Sequence, residues 1–189
     1  DITRVELENG ITVLCRSNFN SPSIVLRGNL PAGTLFDTED KLGLADFTAS
    51  MLMRGTEKND FQSIYDALES VGASFNFDAN THTIGFGGRA LSEDLPLLME
   101  MLSEGLRKPT FPTEHIERLR AQHIAGLAMR DQDTRDMAEL VFDEILYHDH
   151  PYRHTGDGTA ETIGSITRDD LVDFHQKHWR GYSIVVHNA

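Results

Sequence analysis

The sequence predicts an α+β fold with a largely antiparallel sheet and helices packed on one face of that sheet. Apolar strands near the N-terminus are followed by two helices, then by a second pair of strands, and then by a mainly helical region with one last apolar strand. This order lacks the regular strand–helix alternation of a parallel sheet. No linker, repeat or low-complexity segment divides the 189 residues, so we expect a single domain over residues 1–189.

The strands are predicted from runs of apolar and β-branched residues. Asn9 and Gly10 suit the turn of a first hairpin, because both residue types accept positive φ angles. A later pair alternates apolar and polar residues and turns near Ala79 and Asn80. The single cysteine, Cys15, lies in such a run, so we expect a buried and unreactive thiol. The predicted strands are residues 3–7, 11–16, 23–30, 74–77, 81–86 and 182–187.

The helices are predicted from apolar periodicity and from residues that cap helix ends. Asp60 and Thr167 can each begin a helix by accepting hydrogen bonds from its first turn, and Gly72 can end the helix that Asp60 begins. The predicted helices are 42–54, 60–70, one from 92 that stops before the prolines at 109 and 112, one from 113, 135–147 and one from 167. The apolar faces expected to pack consist of Leu95, Leu98, Met99 and Leu102, then Ile116, Leu119, His123 and Leu127, then Met137, Leu140, Val141, Ile145 and Leu146.

Charge and composition exclude several classes of function. The 30 Asp and Glu residues outnumber the 17 Lys and Arg residues, and the net charge of −13 would repel a phosphate backbone. We therefore expect no nucleic-acid partner. No run approaches 18 apolar residues, so we expect no membrane span. A single cysteine cannot form an internal disulfide, and the cellular compartment stays open.

Residues 43–55 carry the most functional information. In an inverted zinc motif, His-x-x-Glu-His, positions i, i+3 and i+4 share one helix face, the two histidines bind Zn²⁺ and the glutamate activates a water. The corresponding positions here hold Asp46, Ala49 and Ser50. Asp46 could ligate a metal, whereas Ala49 cannot carry a proton and Ser50 is a poor zinc ligand. Taken alone, these residues also suit an ordinary polar patch on a helix.

Short motifs surround this helix in a characteristic order and spacing. They are Glu-Asn-Gly-Ile-Thr-Val-Leu at 8–14, Ala-Gly-Thr-Leu-Phe-Asp at 32–37, Gly-Leu-Ala at 43–45, Met-Leu-Met-Arg-Gly-Thr at 51–56, Leu-Glu-Ser-Val-Gly-Ala at 68–73, Phe-Pro at 111–112 and His-Pro-Tyr at 150–152. In this order the chain resembles one domain of the pitrilysin/insulinase family of zinc metallopeptidases. The resemblance covers nearly all of the 189 residues.

In that family the zinc helix reads Gly-Leu-Ala-His-Phe-x-Glu-His-Met-Leu-Phe-x-Gly-Thr. This chain keeps the apolar and glycine positions and departs at Asp46, Ala49 and Ser50. The third zinc ligand of the family is a glutamate of the long helix downstream, and the resemblance places Gly126 there. It therefore implies a pseudo-active site, with no zinc and no catalytic residue in this domain and with zinc expected only in a partner domain.

The resemblance also implies a functional context. Family members enclose a chamber with four such domains, in one chain or in paired subunits, and one type of domain carries zinc. We expect a non-catalytic domain that completes the chamber, within a longer chain or beside a zinc-bearing partner subunit. In active members the strand that matches Asn76 and Phe77 receives the peptide substrate, so these residues mark a candidate peptide-binding edge.

Two alternatives stay open at this point. The chain could be a structural subunit with no peptidase role, like the metal-free core subunits of a respiratory complex. It could also be a metallopeptidase with an altered site built on Asp46.

Overall fold

In the computed structural model, which describes residues 2–17 and 20–179, the strands form two antiparallel sheets. The predicted α+β class is confirmed, but the expected single sheet is replaced by a two-stranded sheet and a three-stranded sheet within these residues. The strand predicted at 182–187 lies outside the described residues. The strands are β1 (Ile2–Glu6) paired with β2 (Thr12–Arg16), and β3 (Ser23–Leu30), β4 (Ser74–Ala79) and β5 (Ile84–Leu91) in the order β3-β5-β4.

Seven α-helices lie within the described ranges. Asp60 accepts a hydrogen bond from the backbone of Ser63, and Thr167 accepts one from Asp170, so both predicted N-caps are confirmed. Gly72 has a φ of 63°, a left-handed conformation that ends the second helix as predicted. The helices are α1 (Leu44–Met51), α2 (Phe61–Ser70), α3 (Leu95–Arg107), α4 (Thr113–Arg130), α5 (Thr134–Leu146), α6 (Ala160–Ser165) and α7 (Arg168–His178).

The helices cover one face of the three-stranded sheet, as expected. Alternate residues of each strand point into the core, and α1 packs on β4 while α3 packs on β5. The opposite face of the sheet is polar and glycine-rich. The buried sheet residues are Ile24, Leu26, Leu30, Phe75, Phe77, Ile84, Phe86 and Ala90. None of the described helices is long and apolar enough to cross a bilayer.

Three burial predictions are wrong. In α3, Met99 is 45% exposed, and Met101 takes the buried position beside Leu98 and Leu102. Cys15 is exposed, because the β1–β2 hairpin lies apart from the main core.

The third wrong prediction concerns α5, whose apolar face was expected to pack. Its main contact is the short turn Pro151–Arg153, so most of its apolar side chains face outward. Periodicity identifies an apolar helix face but not the surface that covers it. The outward residues are Met137, Val141, Phe142, Ile145 and Leu146, with exposed fractions from 36% to 73%.

Candidate functional site

The N-terminus of α1 is held by an acid from the preceding segment. Gly43 begins the helix with a φ of 90°, which favours glycine, and it has no side chain to cap the helix. Asp37 replaces the cap by accepting hydrogen bonds from the backbone N–H groups of Gly43 at 3.0 Å and Ala45 at 2.9 Å. Burial, with a smaller contribution from the nearby charge of Asp46, raises the pKa of Asp37 to about 7, and the hydrogen bonds from Gly43 and Ala45 oppose this shift.

The three positions of the inverted zinc motif lie on α1 as the sequence predicted, but they are chemically unequal. Asp46 is in the first turn with its side chain 32% exposed. Ala49 is buried in the core at 2% exposure, so the position of the general base holds a packed methyl group. Ser50 is partly buried, and its carbonyl oxygen accepts a hydrogen bond from Nε of Arg54 at 3.2 Å. Only Asp46 among these positions offers a metal-binding group.

His123 of α4 meets Asp46 across the helix pair. Its Nδ1 lies 3.9 Å from Oδ2 of Asp46, and its Nε2 donates to the carbonyl oxygen of Asp157 at 2.9 Å. The ring also stacks on Phe47 with 6.2 Å between centroids. Sequence periodicity placed His123 on an apolar helix face without assigning it to the site. A polar residue within an apolar helical stripe was the only signal that pointed to it.

Gly126 has no side chain to add to this group. It is exposed, and a Cβ atom at this position would meet nothing within 4 Å. His123 and Arg120 of α4 both contact Phe47 of α1. Position 126 lies about 60° around the helix from position 123, so the two positions share one face of α4. The predicted third ligand position therefore supplies no ligand atom, because its residue is glycine.

Electrostatics disfavour a charged cluster at this point. Burial raises the pKa of Asp46, His123 opposes that shift, and the carboxylates of Asp157 and Asp78 add to it. Within residues 2–17 and 20–179, no group of three or more His, Cys, Asp or Glu side chains is placed to hold a metal ion. A catalytic zinc site needs three protein ligands and a water that can be activated. The side chains at Asp46, Ala49 and Ser50 do not fit such a site.

The β4 strand ends beside Asp46 and forms an edge of its sheet. Asn76 is exposed and Phe77 is buried, at 7% exposure, so alternate side chains face opposite sides. β4 pairs with β5 on one side, and its other side makes no backbone hydrogen bond to another segment of the described chain. A pocket of about 190 Å³ lies at the end of the strand, lined by Asp46, Ala79 and Asn80 among others.

A larger cleft of about 540 Å³ continues from this pocket towards α5. The hydroxyl of Tyr152 forms a hydrogen bond with Nε2 of His82 at 2.8 Å across its wall. Nδ1 of His150 accepts a hydrogen bond from the backbone of Tyr152 at 3.2 Å. These histidines are engaged in hydrogen bonds that shape the cleft.

Comparison with known proteins gives the class of protein. The model of the insulinase family (peptidase family M16) matches residues 13–157, and the chain belongs to this family. The family resemblance inferred from the sequence motifs is therefore confirmed.

Individual relatives give more detail. The mitochondrial-processing peptidase subunit beta of Saccharomyces cerevisiae is 29% identical over 189 residues, covering 97% of this chain and 40% of the relative. The cytochrome b-c1 complex subunit 1, mitochondrial, of Bos taurus is 22% identical over 181 residues, covering 96% of this chain and 38% of the relative. The chain thus spans about two fifths of the length of these curated relatives.

A solved structure shares both fold and sequence. The crystal structure of a peptidase M16 inactive domain from Pseudomonas fluorescens superposes with a TM-score of 0.91 and is 28% identical. The match covers 99% of this chain and 46% of that one.

Proposed function

We propose that this chain is a non-catalytic domain of a zinc-metallopeptidase-type protein, where it completes the substrate chamber and holds peptide substrate along β4. One observation carries the proposal: the free edge of β4 runs to a helix face whose metal positions, Asp46, Ala49 and Ser50, lack the groups that zinc needs. The proposal treats residues 1–189 as one domain of a longer multi-domain chain or of a subunit in a larger assembly.

Strand addition explains how binding survives the loss of chemistry. An extended peptide at a sheet edge is held mainly by main-chain hydrogen bonds, which do not depend on a metal. β4 is 6 residues long, enough to align a peptide segment of similar length. Asn76 presents its amide on the open face of the sheet, while Phe77 anchors the strand in the core.

We do not assign peptide hydrolysis to this domain, because it lacks the general base and the set of zinc ligands that hydrolysis requires. Ala49 cannot accept a proton from water, and Asp46 with His123 supplies two metal-binding groups where three are needed. We therefore assign zinc and bond cleavage to another domain of the same chain or to a zinc-bearing partner subunit. Similarity to an M16 inactive domain supports this division of labour.

Hydrogen exchange on the purified full-length protein tests the peptide-binding edge. A peptide of about six residues in extended form should slow exchange at residues 74–79, because its backbone pairs with the free side of β4. The matched control is the same peptide N-methylated at alternate residues, which cannot form the ladder. Equal protection by both peptides, or protection that avoids β4, would count against the proposal.

A mixing experiment tests the auxiliary role. Adding the protein to a zinc-bearing M16 partner should raise peptide hydrolysis above that of the partner alone, and the gain should disappear after chelation. The protein without its partner should hydrolyse no peptide, with or without added zinc. No gain on mixing contradicts an auxiliary role.

A structural subunit with no peptidase role is the second candidate. Similarity to cytochrome b-c1 complex subunit 1 favours it, because that relative is named as part of a complex rather than as a peptidase. This candidate predicts no peptide protection at β4 and no gain on mixing.

A peptidase with an altered site is the remaining alternative. It requires hydrolysis by this chain alone that is lost in Asp46→Ala.

A further inference from the structure

An unpaired guanidinium at the end of α1 indicates a second site, separate from β4. Nε of Arg54 donates to the carbonyl oxygen of Ser50 at 3.2 Å, and the guanidinium carbon lies 5.8 Å from the centroid of the Phe61 ring. Arg54 has no carboxylate partner in the described part of the chain. Burial lowers the pKa of Arg54, Tyr65 opposes that shift, and the charge of Arg118 adds to it. Partly buried charges are normally paired, so Arg54 lacks a counter-ion.

Arg54 lines a cavity of about 270 Å³ that a ligand could enter. The cavity lies between the N-terminal ends of α2 and α4, where backbone N–H groups and helix dipoles favour negative charge. His115 forms part of the wall, and its ring lies 4.9 Å from that of Phe61 between centroids. Nδ1 of His115 is buried without a hydrogen-bond partner among the described residues. Within the described residues, the terminal guanidinium nitrogens of Arg54 and Nδ1 of His115 therefore make no hydrogen bond, and both residues line this wall.

The carboxylates around this cavity do not neutralise Arg54, because each has another partner. Glu57 lies 3.3 Å from Nζ of Lys108. Asp60 accepts a hydrogen bond from the backbone N–H of Ser63 at 2.8 Å. Glu114 lies 3.7 Å from the guanidinium of Arg118. These acids lie at the exposed margin of the cavity. They disfavour a multiply charged ligand and leave the inner guanidinium free.

We propose that the cavity beside Arg54 binds a single carboxylate group whose adjoining apolar atoms lie against Phe61. Nε of Arg54 is already engaged, so its two terminal nitrogens remain, and their spacing matches the two oxygens of a carboxylate. The partly buried ring of Phe61 lines the same cavity and provides apolar contact for the rest of the ligand. A small carboxylic acid and the C-terminal carboxylate of a peptide share this chemistry.

Nuclear magnetic resonance titration of the full protein tests the proposal with four probes. These are propionate, N-acetyl-Ala-Ala with a free carboxylate, the same dipeptide as its amide, and inorganic phosphate. We expect saturable shifts of the Arg54 Nε–H signal and of the amides of residues 55–61 with a carboxylate probe, and none with the amide. Saturation by propionate identifies a small-acid site, and saturation by the dipeptide acid alone identifies a site for peptide C-termini.

Variants separate binding from folding. Arg54→Gln should weaken carboxylate binding by about tenfold or more, because the charged, forked donor pair is lost. Arg54→Lys keeps the positive charge but loses the forked pair of donors, so it should also bind the carboxylate more weakly. Its amide signals away from the cavity should match those of the unaltered protein. Arg135→Gln, which removes an exposed arginine of α5 that pairs with Glu139, is the matched control and should bind as the unaltered protein does.

Equal binding of acid and amide, tighter binding of phosphate, or full binding by Arg54→Gln would overturn the proposal. An absence of saturable shifts with both carboxylate probes would overturn it as well. None of these outcomes depends on β4, so the titration tests the carboxylate site independently of the proposed peptide-binding edge.

Discussion

Nδ1 of His123 lies 3.9 Å from the carboxylate of Asp46, at the place where the zinc helix of an active relative would carry its first ligand. The pair joins α1 to α4, and Nε2 of His123 is fixed by the carbonyl oxygen of Asp157. A histidine ring held through one nitrogen presents the other in a defined direction. The degenerate site is therefore an ordered polar contact rather than an empty surface.

Restoring two histidines on α1 tests this contact. The double variant Asp46→His with Ser50→His places imidazoles at i and i+4, and His123 is positioned to be the third ligand. We expect the double variant to bind zinc in calorimetric titration, while the unaltered protein holds no stoichiometric zinc after chelation and zinc reconstitution. Adding His123→Ala should weaken zinc binding by about tenfold or more.

The control for that experiment is Gln122→Ala in the double variant. It should leave zinc affinity unchanged, because Gln122 is exposed and lies about 100° around α4 from His123. An equal loss of affinity from Gln122→Ala and His123→Ala would show that His123 is not a ligand.

Asp37 predicts a pH dependence of stability. Its pKa is raised from 3.8 to about 7 in the folded protein, so between these values the folded state binds the proton more tightly than the unfolded state. The free energy of unfolding should therefore fall as pH rises through this interval, by on the order of 1 kcal/mol per pH unit for this group. Urea unfolding in Asp37→Asn should show a flatter pH profile.

Asp37→Asn also loses one of the two hydrogen bonds to α1, a cost of about 1 kcal/mol that is nearly independent of pH. Asp173→Asn, an exposed substitution on α7 that removes the same charge, is the control and should keep the slope of the unaltered protein. An unchanged slope in Asp37→Asn would contradict the assignment.

Gly28 makes room for Phe86 across the β3–β5 pair. A Cβ atom at Gly28 would overlap the ring of Phe86, whereas one at Gly87, on the open face, would meet only Oδ1 of Asn76 at 3.6 Å. We expect Gly28→Ala to reduce the free energy of unfolding by about 1–3 kcal/mol, because the ring must leave its position. Gly87→Ala should change it by about 0.5 kcal/mol or less. Equal effects in thermal or urea unfolding would contradict this difference.

The sequence pattern of α5 predicts that its apolar face contributes to stability, whereas its exposure in the structure predicts that it contributes little. Phe142 is 60% exposed, so Phe142→Ser should change the free energy of unfolding by about 0.5 kcal/mol or less. Leu102→Ala, at a position 3% exposed on α3, should cost about 2–5 kcal/mol. A large loss of stability in Phe142→Ser would show that α5 is covered within this chain.

Local signals predicted much of the fold because they act over a few residues. Asp60 and Thr167 cap their helices through side chains that reach only into the first turn, and Gly72 ends α2 through its own φ angle. Met99 was placed wrongly because Met99 and Met101 lie on opposite flanks of the helix stripe that contains Leu98 and Leu102, and spacing alone does not show which flank is buried. Contact with the sheet beneath α3 buries the flank that carries Met101.

By itself, the sequence determined that Asp46, Ala49 and Ser50 cannot form the zinc site of the family, because the loss of ligand atoms is a property of residue type. It also determined the α+β class and the order of its elements. Only the tertiary structure decided that His123 meets Asp46, and that Arg54 lies beside Phe61 with no counter-ion among residues 2–17 and 20–179. These relationships depend on the rotation and docking of helices that are distant in sequence, and side-chain spacing along one helix carries no information about its neighbour's orientation.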